Sequence, residues 1–379
     1  MIRKIIVKGF RILRDFSWEP KEGINILVGD NESGKSTVLD AIELAMSCRV
    51  NGRRATEELS PFWFNVEDVN AFFESLSNGT SPAEPPAILI ELYFDEAVQE
   101  VAKLRGLNNS EEKDRPGIRL EISLDSDLFS EFYSAARGEN PEHPLVPVEY
   151  YSVKWSVFQG DSIKRAPDGV LCSRISAGVE GSTRTIDYFA RSVVSENLKP
   201  EELRNISSRY RILRQEIDGL LPSLSESAPL GRHLNNLGLQ MDQSSKADWK
   251  NGVTLRKDSL PLAQAGRGIQ VEARTHLALR NSADKRVLLM EEPENHLAHT
   301  TLTRLMSSVE DNLGDRQLFV TTHSAFVLNR LGLDRLALIN NGGQPANITK
   351  LSADTVRYFQ KQSGVDTLRI VLAARKCVV

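Results

Sequence analysis

Gly29-Asp30-Asn31-Glu32-Ser33-Gly34-Lys35-Ser36-Thr37 decides how this chain is read. The stretch fits the phosphate-loop spacing G-x-x-x-x-G-K-[ST], and its flanks supply the strand and helix that the spacing needs. Upstream, Ile24–Val28 is a continuous apolar run of strand length. Downstream, residues 36–49 carry Val38, Leu39, Ile42 and Met46 at helical spacing on one face. Glycines let the backbone curl so that successive N–H groups face one centre. Lys35 can reach the outer phosphates of a nucleotide there, Ser36 can hold Mg²⁺, and the helix N-terminus favours negative charge. Asn31, Glu32, Ser33, Gly34, Lys35, Ser36 and Thr37 are therefore the candidate nucleotide-binding residues, with a nucleoside triphosphate and Mg²⁺ as the expected ligands. A Gly/Ser turn before an ordinary helix would leave the Lys-Ser pair unexplained.

The bulk numbers set the frame. At 379 residues the chain is long enough for two or three domains, and an apolar fraction of 40% can build their cores. No apolar run approaches the ~20 residues of a membrane span, and Met1-Ile2-Arg3-Lys4 is not followed by a secretory segment. Cys48, Cys172 and Cys377 are far apart and lack metal-ligand spacing, so they read as reduced thiols of a cytoplasmic protein. A net charge of −4 gives no bulk signal for nucleic acid, while 47 Lys and Arg residues leave room for a local basic face.

Ahead of the loop, residues 2–7 are β-rich, Phe16 and Trp18 alternate on a second strand, and Gly23 makes a turn. Beyond the first helix come two loops, at 61–65 and 79–82, with a short helix between them. Period-two alternation then marks Ile88, Ile90, Leu92 and Phe94, again Ile118, Leu120, Ile122 and Leu124, and a third time Tyr151, Val153, Trp155 and Val157. Such alternation predicts half-buried antiparallel strands, a β lobe distinct from the parallel core, interrupted by a helix at 129–136. From about residue 186 the pattern turns helical: Pro200 opens a helix with Ile206, Tyr210, Leu213 and Ile217 on one stripe, and an apolar stretch runs on to 239. Too few heptads follow for a long coiled coil. The chain then returns to alternating helices and strands, with helices at 271–281, 300–312, 326–331 and 352–362.

A phosphate loop needs an acidic partner for Mg²⁺ and a group to activate water. Val287-Leu288-Leu289-Met290-Glu291-Glu292-Pro293-Glu294-Asn295-His296-Leu297 supplies both, as a buried strand with two carboxylates at its carboxyl end, where open α/β sheets gather their sites. Glu291 is the candidate magnesium ligand beside Ser36, and Glu292 the candidate base for the attacking water. Further on, Leu318-Phe319-Val320-Thr321 leads into Thr322-His323-Ser324, which sets His323 beside the γ-phosphate. His143, His233, His276 and His299 read as structural or exposed. Lys35 and Glu292 are 292 − 35 = 257 residues apart, so a large insertion splits the nucleotide-binding sheet.

These residues resemble the ABC-type ATPase superfamily, in the branch that holds the structural-maintenance-of-chromosomes (SMC), RecF and OLD (overcoming lysogenization defect) proteins. The 29–37 loop, the Glu-Glu-Pro-Glu-Asn-His-Leu run and Thr322-His323-Ser324 look most like OLD-family ATPases; ABC transporters usually carry Asp-Glu at the acidic pair. The likeness covers roughly residues 1–49 and 260–340. It implies that Leu262-Ala263-Gln264-Ala265-Gly266-Arg267-Gly268-Ile269-Gln270 is the signature stretch, which binds the γ-phosphate of a nucleotide held by the other subunit of a dimer. Gly266 and Gly268 would let backbone amides approach that phosphate, and a helix beginning near Ile269 would add its dipole. Arg267 stands where a small hydroxyl residue is usual and reads either as a catalytic cation across the dimer interface or as a surface side chain. A glutamine loop is not evident after the first helix, since Phe62-Trp63-Phe64-Asn65 lacks Gln. Of Phe10 and Arg11, which sit where relatives touch nucleotide, Phe10 reads as a core residue.

The expected architecture is thus an α/β ABC-type P-loop ATPase with a mixed sheet core, an antiparallel β lobe and a helical insertion. Its parts are residues 1–180, a dimerising helical insertion at 181–255, and a second ATPase half at 256–379. By resemblance, the chain is a homodimer around ATP that controls an OLD-like nuclease in DNA repair or phage defence, with DNA and a partner protein as further partners. In OLD proteins a Toprim nuclease domain follows, and residues 368–379 read as a strand at the point where it would begin, so the expectation is an ATPase part lacking that domain. The alternative is a non-nucleolytic RecF-like or SMC-like DNA clamp. A transporter ATPase fits least, lacking Leu-Ser-Gly-Gly-Gln.

Overall fold

The computed structural model describes residues 1–50, 53–78, 84–138, 144–167, 169–176, 190–191, 193–194, 197–221, 240–242, 248–280, 286–295, 297–332, 335–339 and 346–347. Two compact units divide the chain, Met1–Ala177 with Thr275–Val379, and Gly178–Arg274.

The larger unit is built from two sheets around one helix. The alternating segments form the first sheet: β1 (Ile2–Phe10), β2 (Leu13–Trp18), β4 (Ile88–Phe94), β5 (Arg115–Leu124) and β6 (Tyr151–Val157). These strands run antiparallel in the order β2-β1-β4-β5, with β6 and the two-residue strand Arg105–Gly106 both on β5. The apolar runs form the second sheet: β3 (Ile24–Val28), β7 (Cys172–Ser176), β8 (Val287–Glu291), β9 (Gln317–Thr321) and β10 (Leu336–Leu338). They are parallel in the order β7-β8-β9-β3-β10, and Ala346–Asn347 closes the edge antiparallel. Parallel strands covered on both faces need continuous apolar runs, and β3 and β9 are buried at every residue.

Helix α1 (Lys35–Ser47) lies between the sheets. Its buried residues Val38, Leu39, Ala41, Ile42, Leu44, Ala45 and Met46 belong to one core with Ile5, Val7 and Leu92 of the first sheet and Leu27, Leu289 and Phe319 of the second. Each fully buried Val, Leu, Ile, Phe or Met side chain there contributes about 1.5–3 kcal/mol of transfer free energy. Trp18 packs edge-on to Phe319 at 5.5 Å between ring centres, joining the two sheets directly. Trp155 Nε1 donates to Ala45 O at 2.7 Å and so pins β6 to α1. The fully buried Gln317 side chain ties the sheets by polar contacts: Oε1 accepts from Ile2 N at 2.8 Å, and Nε2 donates to Ile2 O and Lys21 O.

Asn65, in the stretch where a glutamine loop was sought, caps helix α2 (Val66–Ser77), its Oδ1 accepting from Glu67 N at 3.1 Å. Its Nδ2 donates to Arg11 O at 2.6 Å, so its role is structural. Helix α3 (Phe129–Ala136) covers the lobe with Phe132 and Ala136 buried.

In the smaller unit, α4 (Pro200–Asp218) begins at a proline suited to a first helical position, and Glu202 accepts from Lys199 N at 2.8 Å to satisfy a terminal amide. Ile206, Leu213 and Ile217, read as one stripe, are partly exposed at 37%, 51% and 39%. The apolar stretch at 222–239 and the helix read at 352–362 lie outside the described residues. The unit ends in α5 (Arg267–Arg280), whose last turns pass into the larger unit. That unit is completed by α6 (His299–Asn312), with Leu302, Leu305, Met306 and Val309 on its buried face, and α7 (Ala325–Leu331).

Candidate functional site

The carboxyl ends of the parallel strands share one edge because the ladder is in register, Glu291 opposite Thr321 and Thr321 opposite Leu27. The phosphate loop leaves β3 at this edge. Gly29 is required by crowding: a Cβ there would lie 2.2 Å from Ile339 O and 2.5 Å from Ser33 Oγ. Gly34 is required by its backbone, at φ 101°, where a side chain is strained. Glu32 also sits in the left-handed region at φ 64°. The curled loop ends at α1, whose first-turn amides have no acceptor within the helix.

Lys35 is 5% exposed and donates to Gly29 O at 3.0 Å and Asp30 O at 2.7 Å, which holds its ammonium inside the curl. Ser33 Oγ is buried and makes no hydrogen bond among the described residues, and neither does Thr321 Oγ1 on the adjacent strand. Ser36 is exposed in the first turn of α1, Thr37 is buried, and Asn31 and Glu32 are exposed. Buried hydroxyls without a hydrogen bond among the described residues, the amides of a helix start, a lysine and an exposed serine together fit a nucleotide polyphosphate with its magnesium. Lys35 and the amides would hold phosphate, and Ser36 the metal.

The acidic pair emerges from β8 in the next position but one. Glu292 N still donates to Thr321 O at 2.9 Å, while Glu292 itself turns into the left-handed region at φ 41°. Its Oε2 accepts from Asn295 Nδ2 at 2.5 Å, and its Oε1 lies 3.6 Å from His323 Nε2. The water-activating and phosphate-facing groups read from the sequence are thus neighbours.

Glu291 points to a group the sequence reading missed. Arg174 on β7, the strand beside β8, reaches Glu291 with one nitrogen at 2.7 Å; its other terminal nitrogen lies 3.0 Å from Glu43 and also binds Asp40. Asp40 and Glu43 follow Ser36 along one face of α1, and Asp40 is further paired with Arg11. Burial opposes the charge on Arg174, but Asp40, Glu291 and Glu43 outweigh it and raise the pKa. Burial likewise raises Glu43 against the pull of Arg174. Arg174 was silent in the sequence because its strand alternates too briefly and its partners are all distant in the chain. Phe10 is buried edge-on to Trp63 as expected, and Arg11 stacks over the Phe10 ring at 5.1 Å.

The signature stretch belongs to the smaller unit. Helix α5 starts at Arg267, two residues earlier than read, with Gly266 O accepting from Ile269 N at 3.0 Å and Gln270 N at 3.2 Å. Gln270 Nε2 folds back to Ala265 O at 2.8 Å and Ala263 O at 3.1 Å, which fixes the turn. A Cβ on Gly266 would meet nothing within 4 Å, so its backbone is open to an incoming group. Gly268 lies in the first turn of the helix, and the Arg267 side chain lies outside the described residues. His143, His233 and His296 also lie outside them, while His299 packs against Phe326 at 4.2 Å.

Residues 4–158 match a family described as "AAA domain", and residues 199–329 one described as "AAA domain, putative AbiEii toxin, Type IV TA system". Over 76 residues the chain is 36% identical to the DNA replication and repair protein RecF of Chlorobium phaeovibrioides, which covers 20% of this chain and 20% of that protein. Similar solved structures include the SMC head domain with an extended coiled coil bound to the C-terminal domain of ScpA, from Pyrococcus furiosus. That structure is 13% identical, over 97% of this chain and 99% of that one, with a TM-score of 0.45. The recombination mediator RecF with ATP is 15% identical over 90% and 96%, with a TM-score of 0.41. The first AAA match takes in the phosphate loop, and the second takes in α4, the signature stretch and the strands that carry Glu291, Glu292 and His323. Among the described residues no helix is long and apolar enough to cross a membrane.

Proposed function

We propose that this chain is an ATP-binding and hydrolysing module that pairs with a second copy around ATP and uses that pairing to control the processing of DNA. The observation that carries the reading is the convergence of Lys35, Glu291, Glu292 and His323 at one edge of one parallel sheet. Lys35 and the loop amides bind the phosphates, while Ser36 and Glu291 hold Mg²⁺, which supplies charge neutralisation when bound. Glu292 takes the proton of the attacking water, and His323 donates to the γ-phosphate. Gly266 and Gly268 offer amides to the nucleotide of the second copy, and Arg267 adds a positive charge there.

The narrower reading is the ATPase part of an OLD-like nuclease acting in DNA repair or phage defence. Its support is the Glu-Glu-Pro-Glu-Asn-His-Leu run with Thr322-His323-Ser324. The segment 36% identical to RecF favours a second reading, a DNA-binding ATP switch without nuclease activity. Measuring ATP turnover, dimerisation and DNA handling tests both. Turnover lost in Lys35→Ala and ATP-dependent dimerisation in light scattering are expected. ATP-dependent DNA cleavage by the complete polypeptide favours the first reading, and DNA binding without cleavage the second. A protein that neither binds nor hydrolyses ATP overturns both.

A further inference from the structure

We propose that Glu294 is the positioning residue for His323, and that the turn carrying it holds both candidate reacting groups. The inference rests on the proposed role of His323 at the γ-phosphate. One carboxylate oxygen, Glu294 Oε1, accepts three hydrogen bonds from three consecutive residues. Thr322 Oγ1 donates at 2.8 Å, His323 N at 2.8 Å and Ser324 N at 3.1 Å. Ser324 N also donates to Thr322 Oγ1 at 2.9 Å, and Thr322 is fully buried, so the segment between β9 and α7 is tied at all three residues. Ser324, the residue before α7, makes no side-chain capping bond, and the amides that Glu294 takes up are those of His323 and Ser324, ahead of the first turn of the helix.

A capping side chain accepts from the amides of the second or third helical residue, whereas Glu294 accepts from His323 N and Ser324 N, so its bonds hold the approach to α7 and not its first turn. A carboxylate here adds negative charge on the side where phosphate is proposed to sit, which disfavours the ligand unless rigidity returns more than it costs. The placement beside Glu292 gives that return. Asn295 Nδ2 binds Glu292 Oε2 at 2.5 Å, while Glu294 fixes the His323 backbone. Adjacent residues of one turn, closed by Asn295 N to Glu292 O at 3.0 Å, therefore hold the two partners of the 3.6 Å pair. Glu294 touches neither reacting atom; it acts through His323.

The test compares Glu294→Ala, Glu294→Gln, His323→Ala and the Glu294→Ala/His323→Ala double variant. A displaced group costs up to about 100-fold, so Glu294→Ala is expected to lower kcat about 30-fold with ATP affinity within about threefold. Glu294→Gln keeps an acceptor oxygen and is expected to recover all but about fivefold. In the His323→Ala background, Glu294→Ala should cost less than about twofold more, because both lesions remove one function. Without nucleotide, the amides of His323 and Ser324 should exchange with solvent about tenfold faster in Glu294→Ala than in the wild type. Fully additive losses, or unchanged exchange at 323 and 324, would overturn the proposal. If His323→Ala alone keeps full turnover, the reading of His323 fails, and amide exchange still decides whether Glu294 holds the segment.

Discussion

His323 Nε2 lies 3.6 Å from Glu292 Oε1, although the two residues leave different strands. The pairing follows from the ladder: β8 and β9 are parallel neighbours, and Glu292 N extends their hydrogen bonding to Thr321 O at 2.9 Å. Only after that bond does the chain bend, at a non-glycine residue with φ 41°, a conformation that costs on the order of 1 kcal/mol or more. Pro293 follows, and the Glu292 carboxylate lies between Asn295 Nδ2 at 2.5 Å and His323 Nε2 at 3.6 Å.

Glu292→Gln keeps the shape and the Asn295 contact but cannot accept a proton. Loss of a general base costs about 10²–10⁴-fold, so turnover should fall by that factor while ATP affinity stays within about threefold. The variant should also accumulate as an ATP-bound dimer in size-exclusion chromatography. Wild-type turnover in Glu292→Gln would remove Glu292 from the role.

Gly29→Ala tests the loop without touching a charge. Its Cβ would sit 2.2 Å from Ile339 O, a backbone atom of the adjoining strand's end, and 2.5 Å from Ser33 Oγ. Overpacking of this kind costs about 1–3 kcal/mol, and here it pushes on the phosphate cradle itself. A lowered melting temperature together with at least about tenfold weaker ATP binding is expected from thermal scans and nucleotide titration.

Much of this arrangement was legible in the sequence, for physical reasons that differ by element. β3, β8 and β9 announced themselves as apolar runs because both faces of a parallel sheet are covered, and β5 and β6 alternated because one face is partly open. β4 alternates in sequence but is not half-buried: Glu91 and Tyr93 on its second face are buried as well, with the Tyr93 hydroxyl donating to Glu91 Oε2 at 2.8 Å. Residue spacing does not say which sheet a strand joins. The β1–β2 hairpin pairs with β4, Ile5 opposite Leu92, through contacts distant in sequence. β7 was invisible for the same reason. Ile175 is its one buried large apolar residue, and its place beside β8 is fixed by pairing Cys172 with Val287. Arg174 and Glu294 therefore gain meaning only from neighbours that the fold brings to them.

Arg267 can be tested by mixing chains. If it serves the nucleotide of the other copy, Lys35→Ala and Arg267→Ala homodimers are each inactive at both sites. In a mixed dimer one site carries both lesions and the other carries none. Random assortment then restores about a quarter of wild-type turnover, since half the dimers are mixed and each has one intact site. Activity that does not rise on mixing would place Arg267 on its own chain's nucleotide or on neither.

The Arg174 cluster makes a prediction about stability and its dependence on pH. Removing the guanidinium leaves Asp40, Glu43 and Glu291 facing one another, and breaking a buried ion pair from one side costs about 3–5 kcal/mol. Those side chains are about a fifth exposed, which pulls Arg174→Ala to the lower end of that range. Glu43 sets the pH trend. Burial raises its pKa above the ordinary 4.5, so the folded chain holds that proton more tightly than the unfolded chain does. Its contribution is complete below pH 4.5 and is lost as pH rises through the folded-state value. Glu43→Gln removes this loss. Its urea midpoint relative to the wild type should therefore climb as pH rises from 4.5 toward neutrality, even though the charged contact to Arg174 at 3.0 Å is gone. A midpoint difference that falls with pH would mean that attraction to Arg174, and not burial, governs Glu43.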